Sequence, residues 1–138
     1  VPPSAPRLLG SVRRETARSA PKARRALVGR WTDVLLGKAS DASLDAFETG
    51  TLVAVARASF LLLLKRRAGE RIVRVEEGRI FILQDDHDLI VRSLREFLLQ
   101  KGIHVSLLLH PQFAATRRPD GTLERLADLP GRGTSAGV

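Results

Sequence analysis

The chain has 138 residues, 43% of them apolar, with 23 Lys+Arg against 15 Asp+Glu, a formal charge of +8, and no Cys, Met or Tyr. This length and apolar content suit one modest core and exclude both wholesale disorder and two full domains. Without Cys there is no disulfide framework, no Cys-ligated zinc and no thiol nucleophile.

The longest apolar stretch, residues 52–64, is interrupted by Arg57. It falls short of the roughly 20 residues a membrane helix needs. No basic-led apolar segment with a small-residue cleavage site opens the chain, so the expected location is the cytoplasm. A start at Val1 without Met suits a processed or internal piece, or a non-standard start codon.

Residues 1–40 hold nine Lys/Arg and two acids, whereas residues 41–138 hold fourteen and thirteen. The positive charge therefore belongs to the first third, which also carries four of the seven prolines (Pro2, Pro3, Pro6 and Pro21). Apolar periodicity is weak before Ala26. Residues 1–40 read as a flexible basic leader with a short helix around 21–36. Nucleic-acid contact would call for aromatics among these bases, and Trp31 stands alone.

Residues 41–70 read as a helical lead-in. Ser40 to Ser43 offer N-caps, and Leu44, Phe47, Thr51, Ala54, Val55, Ala58, Leu62 and Lys65 recur at helical spacing. The spacing predicts a helix over about 43–66, weakened at Gly50, with Lys65-Arg66-Arg67 at its negative end and Gly69 at its C-cap. Residues 70–76 alternate as a short strand, Gly78 breaks it, and 79–84 reads as a strand buried on both faces. After Asp85-Asp86-His87-Asp88, residues Ile90, Leu94, Phe97, Leu98 and Lys101 mark one helical stripe, with Arg92 and Glu96 paired on the other side and Gly102 as the stop. Ile103 to His110 alternates as a strand that resumes after Pro111. Arg118-Pro119-Asp120-Gly121-Thr122 is a turn that returns Leu123–Leu126 as a hairpin arm, and residues 131–138 read as a tail.

The polar features carry little chemistry. Asp85 and Glu96 have the spacing of the outer ligands of a calcium loop, but His87 and Leu89 occupy ligand positions and the turn glycine is missing. The carboxylates 85, 86 and 88 suit capping of the following helix, or a loop whose backbone N–H groups hold a ligand carboxylate. His104 and His110 lie roughly 20 Å apart along a strand, too far for one ion. Nucleophile elbow, P-loop and dinucleotide fingerprint are all missing from the sequence.

From about residue 56 to 136 the sequence resembles the N-terminal ACT-like (ACT1) region of the large bacterial NAD-specific glutamate dehydrogenases. Five blocks carry the resemblance: Leu64-Lys65-Arg66-Arg67-Ala68-Gly69-Glu70, Val73-Arg74-Val75, the run from Asp85 to Ser93, the run from Gly102 to Pro111, and Arg117-Arg118-Pro119-Asp120-Gly121-Thr122-Leu123. Asp88 stands where that family usually has Pro, and Arg92 where it usually has Asp.

The resemblance implies an α+β fold, an ACT/ferredoxin-like βαββ(αβ) sandwich over 71–130, incomplete at its C-terminus. It implies a non-catalytic regulatory or assembly module of an enzyme that converts glutamate to 2-oxoglutarate. NAD would belong to that parent enzyme and no cofactor to this chain. A small amino acid effector would sit at Asp85, Asp86, His87, Asp88 and Ser93. The partners would be the remaining domains of such an enzyme or a second copy. Two alternatives come from other classes: a nucleic-acid-binding protein using residues 1–40, and a stand-alone module that dimerises through sheet edges.

Overall fold

A computed structural model describes residues 5–39, 44–85 and 90–128. In chain order these form α1 (Ala5–Arg18), a 3-10 turn (Lys22–Arg24), α2 (Arg25–Leu36), α3 (Thr49–Leu63), β1 (Ile72–Glu76), β2 (Arg79–Leu83), α4 (Ile90–Gln100), β3 (Phe113–Arg117) and β4 (Leu123–Asp128). The class is α+β. The strands form two separate antiparallel pairs, β1 with β2 and β3 with β4.

The basic leader differs from expectation in its first part: α2 lies within the helix expected around 21–36, but residues 5–18 also form a helix, α1, which packs on both α2 and α3. Its buried stripe is narrow: Leu9 touches the core, while Val12 and Thr16 are fully buried. The Thr16 hydroxyl donates to the Val12 carbonyl at 2.6 Å, so its burial leaves no polar group unpaired. The prolines frame these helices instead of breaking them. Pro6 lies in the first turn of α1, where a missing N–H costs nothing, and Pro21 precedes the 3-10 turn.

Helix α2 supplies the centre of the core through Val28, Trp31, Val34, Leu35 and Leu36. Trp31 donates its indole N–H to the Ser59 hydroxyl at 2.9 Å, and Ser59 donates to the Val55 carbonyl at 2.7 Å. The Trp31 and Phe113 rings meet edge to face at 5.1 Å, joining the helices to the β3–β4 hairpin.

Helix α3 is shorter at both ends than the apolar spacing predicts. Glu48 is extended (φ −69°, ψ 149°), so Leu44 is buried outside α3. At the other end Lys65, Arg66 and Arg67 have left the helix. Lys65 bridges Thr122, and the Leu64 carbonyl accepts the Leu123 N–H at 3.0 Å. The hairpin, not the basic run, satisfies the end of this helix.

Glu77 (φ 50°) and Gly78 (φ 74°) close the β1–β2 hairpin with two positive φ angles, the geometry of a two-residue turn. Strand β2 is less buried than expected: Leu83 is buried, but Ile80 is 45% exposed, because this pair is a sheet of its own.

Helix α4 ends as its glycine predicts. Gly102 (φ 72°) donates to the Leu99 carbonyl at 3.0 Å and Ile103 to the Leu98 carbonyl at 2.9 Å, a Schellman close. The strand expected over 103–110 is not formed; pairing begins only at Phe113, after Pro111. Alternation alone does not make a strand where no ladder partner is engaged.

Candidate functional site

Asp85 accepts a 2.7 Å bond from the Arg66 guanidinium. The Arg66 side chain is 12% exposed and that of Asp85 71% exposed, so this carboxylate stands at the surface against a largely covered arginine. Ser93 lies in the first turn of α4 and is exposed. Asp86, His87 and Asp88 lie outside the described residues, as do the expected Ser40–Ser43 caps. Beside Asp85, Gln84 is buried, and its Oε1 has no hydrogen-bond partner among the described residues.

The arginine junction behind Asp85 was not foreseen from the sequence. Arg117 on β3 donates from one Nη to the Leu63 carbonyl at 2.7 Å and to the Gly121 carbonyl at 2.9 Å. It therefore clamps the end of α3 to the β3–β4 turn. Burial pushes the Arg117 guanidinium below its ordinary pKa, and the neighbouring Arg66 charge pushes it the same way. The Arg66 N–H donates to the Gly121 carbonyl at 3.1 Å, and its Nε donates to the Glu70 carbonyl at 2.7 Å. Gly121 has φ 93°, and a Cβ there would lie 2.5 Å from the Arg66 carbonyl oxygen. The turn signal pointed to Gly121; nothing local in the sequence marked Arg117 as a long-range helix cap.

A groove of about 470 Å³ is lined by residues of β2 and of 103–111 together with Trp31, Val55, Leu94 and Leu98. Its walls are mainly apolar. The Ser59 hydroxyl in it is already engaged with Trp31 and the α3 backbone, so it is not poised as a nucleophile. Among the described residues no three His, Asp or Glu side chains gather as a metal site. Residues 84–89, between β2 and α4, contain no glycine, so the turn that cradles a dinucleotide pyrophosphate cannot be built there. Among the described residues no helix is long and apolar enough to cross a membrane.

Against known protein families, residues 31–137 match the family described as glutamate dehydrogenase, ACT1 domain. The match begins inside α2 and spans both strand pairs. No curated protein and no solved structure matches the chain.

Proposed function

This chain belongs to the ACT1-domain family of glutamate dehydrogenase, and we propose that it is a non-catalytic regulatory or assembly module of an NAD-dependent enzyme of that kind. The family match is the observation that carries this reading. The sequence supports it, since it supplies neither a nucleophile–base pair nor a dinucleotide fingerprint. In this reading NAD and the conversion of glutamate to 2-oxoglutarate belong to a catalytic region elsewhere. The module works in the cytoplasm, bound to the other domains of the enzyme or to a second copy of itself.

The β2–α4 loop is the proposed effector site. Asp85, Asp86, His87, Asp88 and Ser93 would meet the ammonium and carboxylate of a small amino acid, and the start of α4 favours the carboxylate. An effector bound there alters the enzyme only through unequal affinity for two arrangements.

The experiment is a thermal titration of the whole chain with glutamate, aspartate and alanine, alongside an assay for NADH formation. At about 100 times its Kd, an effector raises stability by about 2.7 kcal/mol. The expected result is a rise in Tm with at least one of the three, reduced in Asp85→Asn, and no NADH from the chain alone. Turnover by the chain would overturn the non-catalytic reading. Unchanged Tm with all three would remove the loop as their site.

A further inference from the structure

Much of the positive charge is gathered where α1 turns into α2. Residues 14–25 carry Arg14, Arg18, Lys22, Arg24 and Arg25 against a single acid, Glu15. They span the end of α1, the 3-10 turn and the first residue of α2. All five bases are exposed. Arg14 and Arg18 stand one turn apart on the side of α1 opposite the buried Val12 and Thr16.

These charges have no counterpart inside the fold. Among the described residues, the Arg14 side chain donates only to the Ser11 hydroxyl, at 3.4 Å, and that of Arg25 only to the Ala20 carbonyl, at 3.3 Å. The side chains of Arg18, Lys22 and Arg24 have no partner among the described residues. The next acid along the chain, Asp33, is held by Arg13 at 2.9 Å.

The surface between the bases narrows the partner. Ser19, Pro21 and Ala23 are exposed among them, with Ala26 just beyond. None of these is a large apolar anchor of the kind that holds a protein interface. No ring is present to stack on single-stranded bases, since Trp31 is buried. Nor is α1 free to insert into a membrane surface, because Leu9 and Val12 pack into the core. A double helix needs neither anchor nor ring, because exposed Arg and Lys suffice to bind its phosphates. Four of the five bases are Arg, whose planar fork matches phosphate oxygens in pairs.

We propose that the α1–α2 corner binds the phosphate backbone of a nucleic-acid double helix without reading its sequence. The corner precedes residue 31, where the family match begins, and includes no residue of the β2–α4 loop. This binding is therefore separate from the effector reading.

Fluorescence anisotropy of the whole chain with labelled DNA and RNA duplexes of about 20 base pairs tests this, between about 25 and about 100 mM KCl. With five bases engaged at about 0.9 per phosphate, log K should fall against log salt with a slope of about −4 to −5. That is a loss of about 250- to 1,000-fold over this range. Such a slope with either duplex supports the proposal, and the two arms show which helix the corner fits. Arg18→Gln, Lys22→Gln and Arg24→Gln together should flatten the slope by about 3 and weaken binding at least about tenfold. Arg71→Gln, Arg74→Gln and Arg95→Gln remove the same charge from exposed positions elsewhere, and should change affinity by less than about threefold. The proposal is overturned by failure to bind either duplex at the lowest salt, or by equal weakening in the two triple variants. Tighter binding to poly-glutamate or to anionic lipid vesicles also overturns it. If the first variant does not fold, the wild-type slope decides alone, and one shallower than about −2 is contrary to the proposal.

Discussion

At the residue scale, Arg117 and Gly121 do more than their neighbours suggest. Arg117 caps α3 from a distant strand, so Arg117→Gln should cost about 2–3 kcal/mol, the scale of two charge-assisted bonds to partly buried carbonyls. Equilibrium denaturation measures it, and a loss below about 0.5 kcal/mol would show that water replaces the clamp. Two glycines make opposite predictions. At Gly121 an added Cβ meets the Arg66 backbone at positive φ, so Gly121→Ala should destabilise by about 2–3 kcal/mol. At Gly50, in the first turn of α3, nothing lies within 4 Å of that position. Gly50→Ala should therefore stabilise by about 0.5–1 kcal/mol. Melting curves of the two variants should move apart, and a shift of both in one direction would contradict this account of the junction.

At the element scale, the β3–β4 turn carries a pH dependence. The Thr122 N–H donates to Asp120 at 2.9 Å. That bond and the Thr122 hydroxyl hold the Asp120 carboxyl below its ordinary pKa against an opposing effect of burial, with Lys65 and Arg118 adding lesser contributions in the same direction as the bonds. A carboxyl depressed on folding contributes stability above its unfolded pKa and loses it as pH falls through the folded value. The wild type should thus lose more Tm on acidification through the carboxylate range than Asp120→Asn, and parallel Tm profiles would contradict it. This turn was legible because Pro119, Asp120 and Gly121 each favour their place in it through local chemistry. The α4 stop at Gly102 was legible for the same reason. The C-terminal end of α3 was not, because it is decided by residues far along the chain, Arg117 and Leu123. The alternating run 103–110 shows the converse: the pattern was plain, but pairing depends on a partner edge. Of the candidate site, Asp85 could be named from sequence, but not its Arg66 partner.

At the scale of the whole molecule, the charge of +8 changes meaning. The bases of residues 1–40 sit largely on folded helices: Arg13 pairs with Asp33 at 2.9 Å, and Arg30 reaches the Leu126 carbonyl at 3.4 Å. Helices α1 and α2 bury Val12, Thr16, Val28 and Trp31 in the common core, although the family match starts only at residue 31. A chain trimmed to residues 31–137 should therefore lose several kcal/mol, with burial of each large apolar side chain worth about 1.5–3 kcal/mol. Its Tm should fall by more than about 10 °C. An unchanged Tm would mean that α1 is dispensable to the fold. The central claim is that this is a glutamate dehydrogenase module which acts by association. It is tested most directly by co-purifying the whole chain with an NAD-dependent glutamate dehydrogenase whose own ACT1 domain has been deleted. The account predicts a stoichiometric complex whose glutamate oxidation rate differs from that of the deleted enzyme alone. Separate elution of the two proteins with an unaltered rate would contradict it.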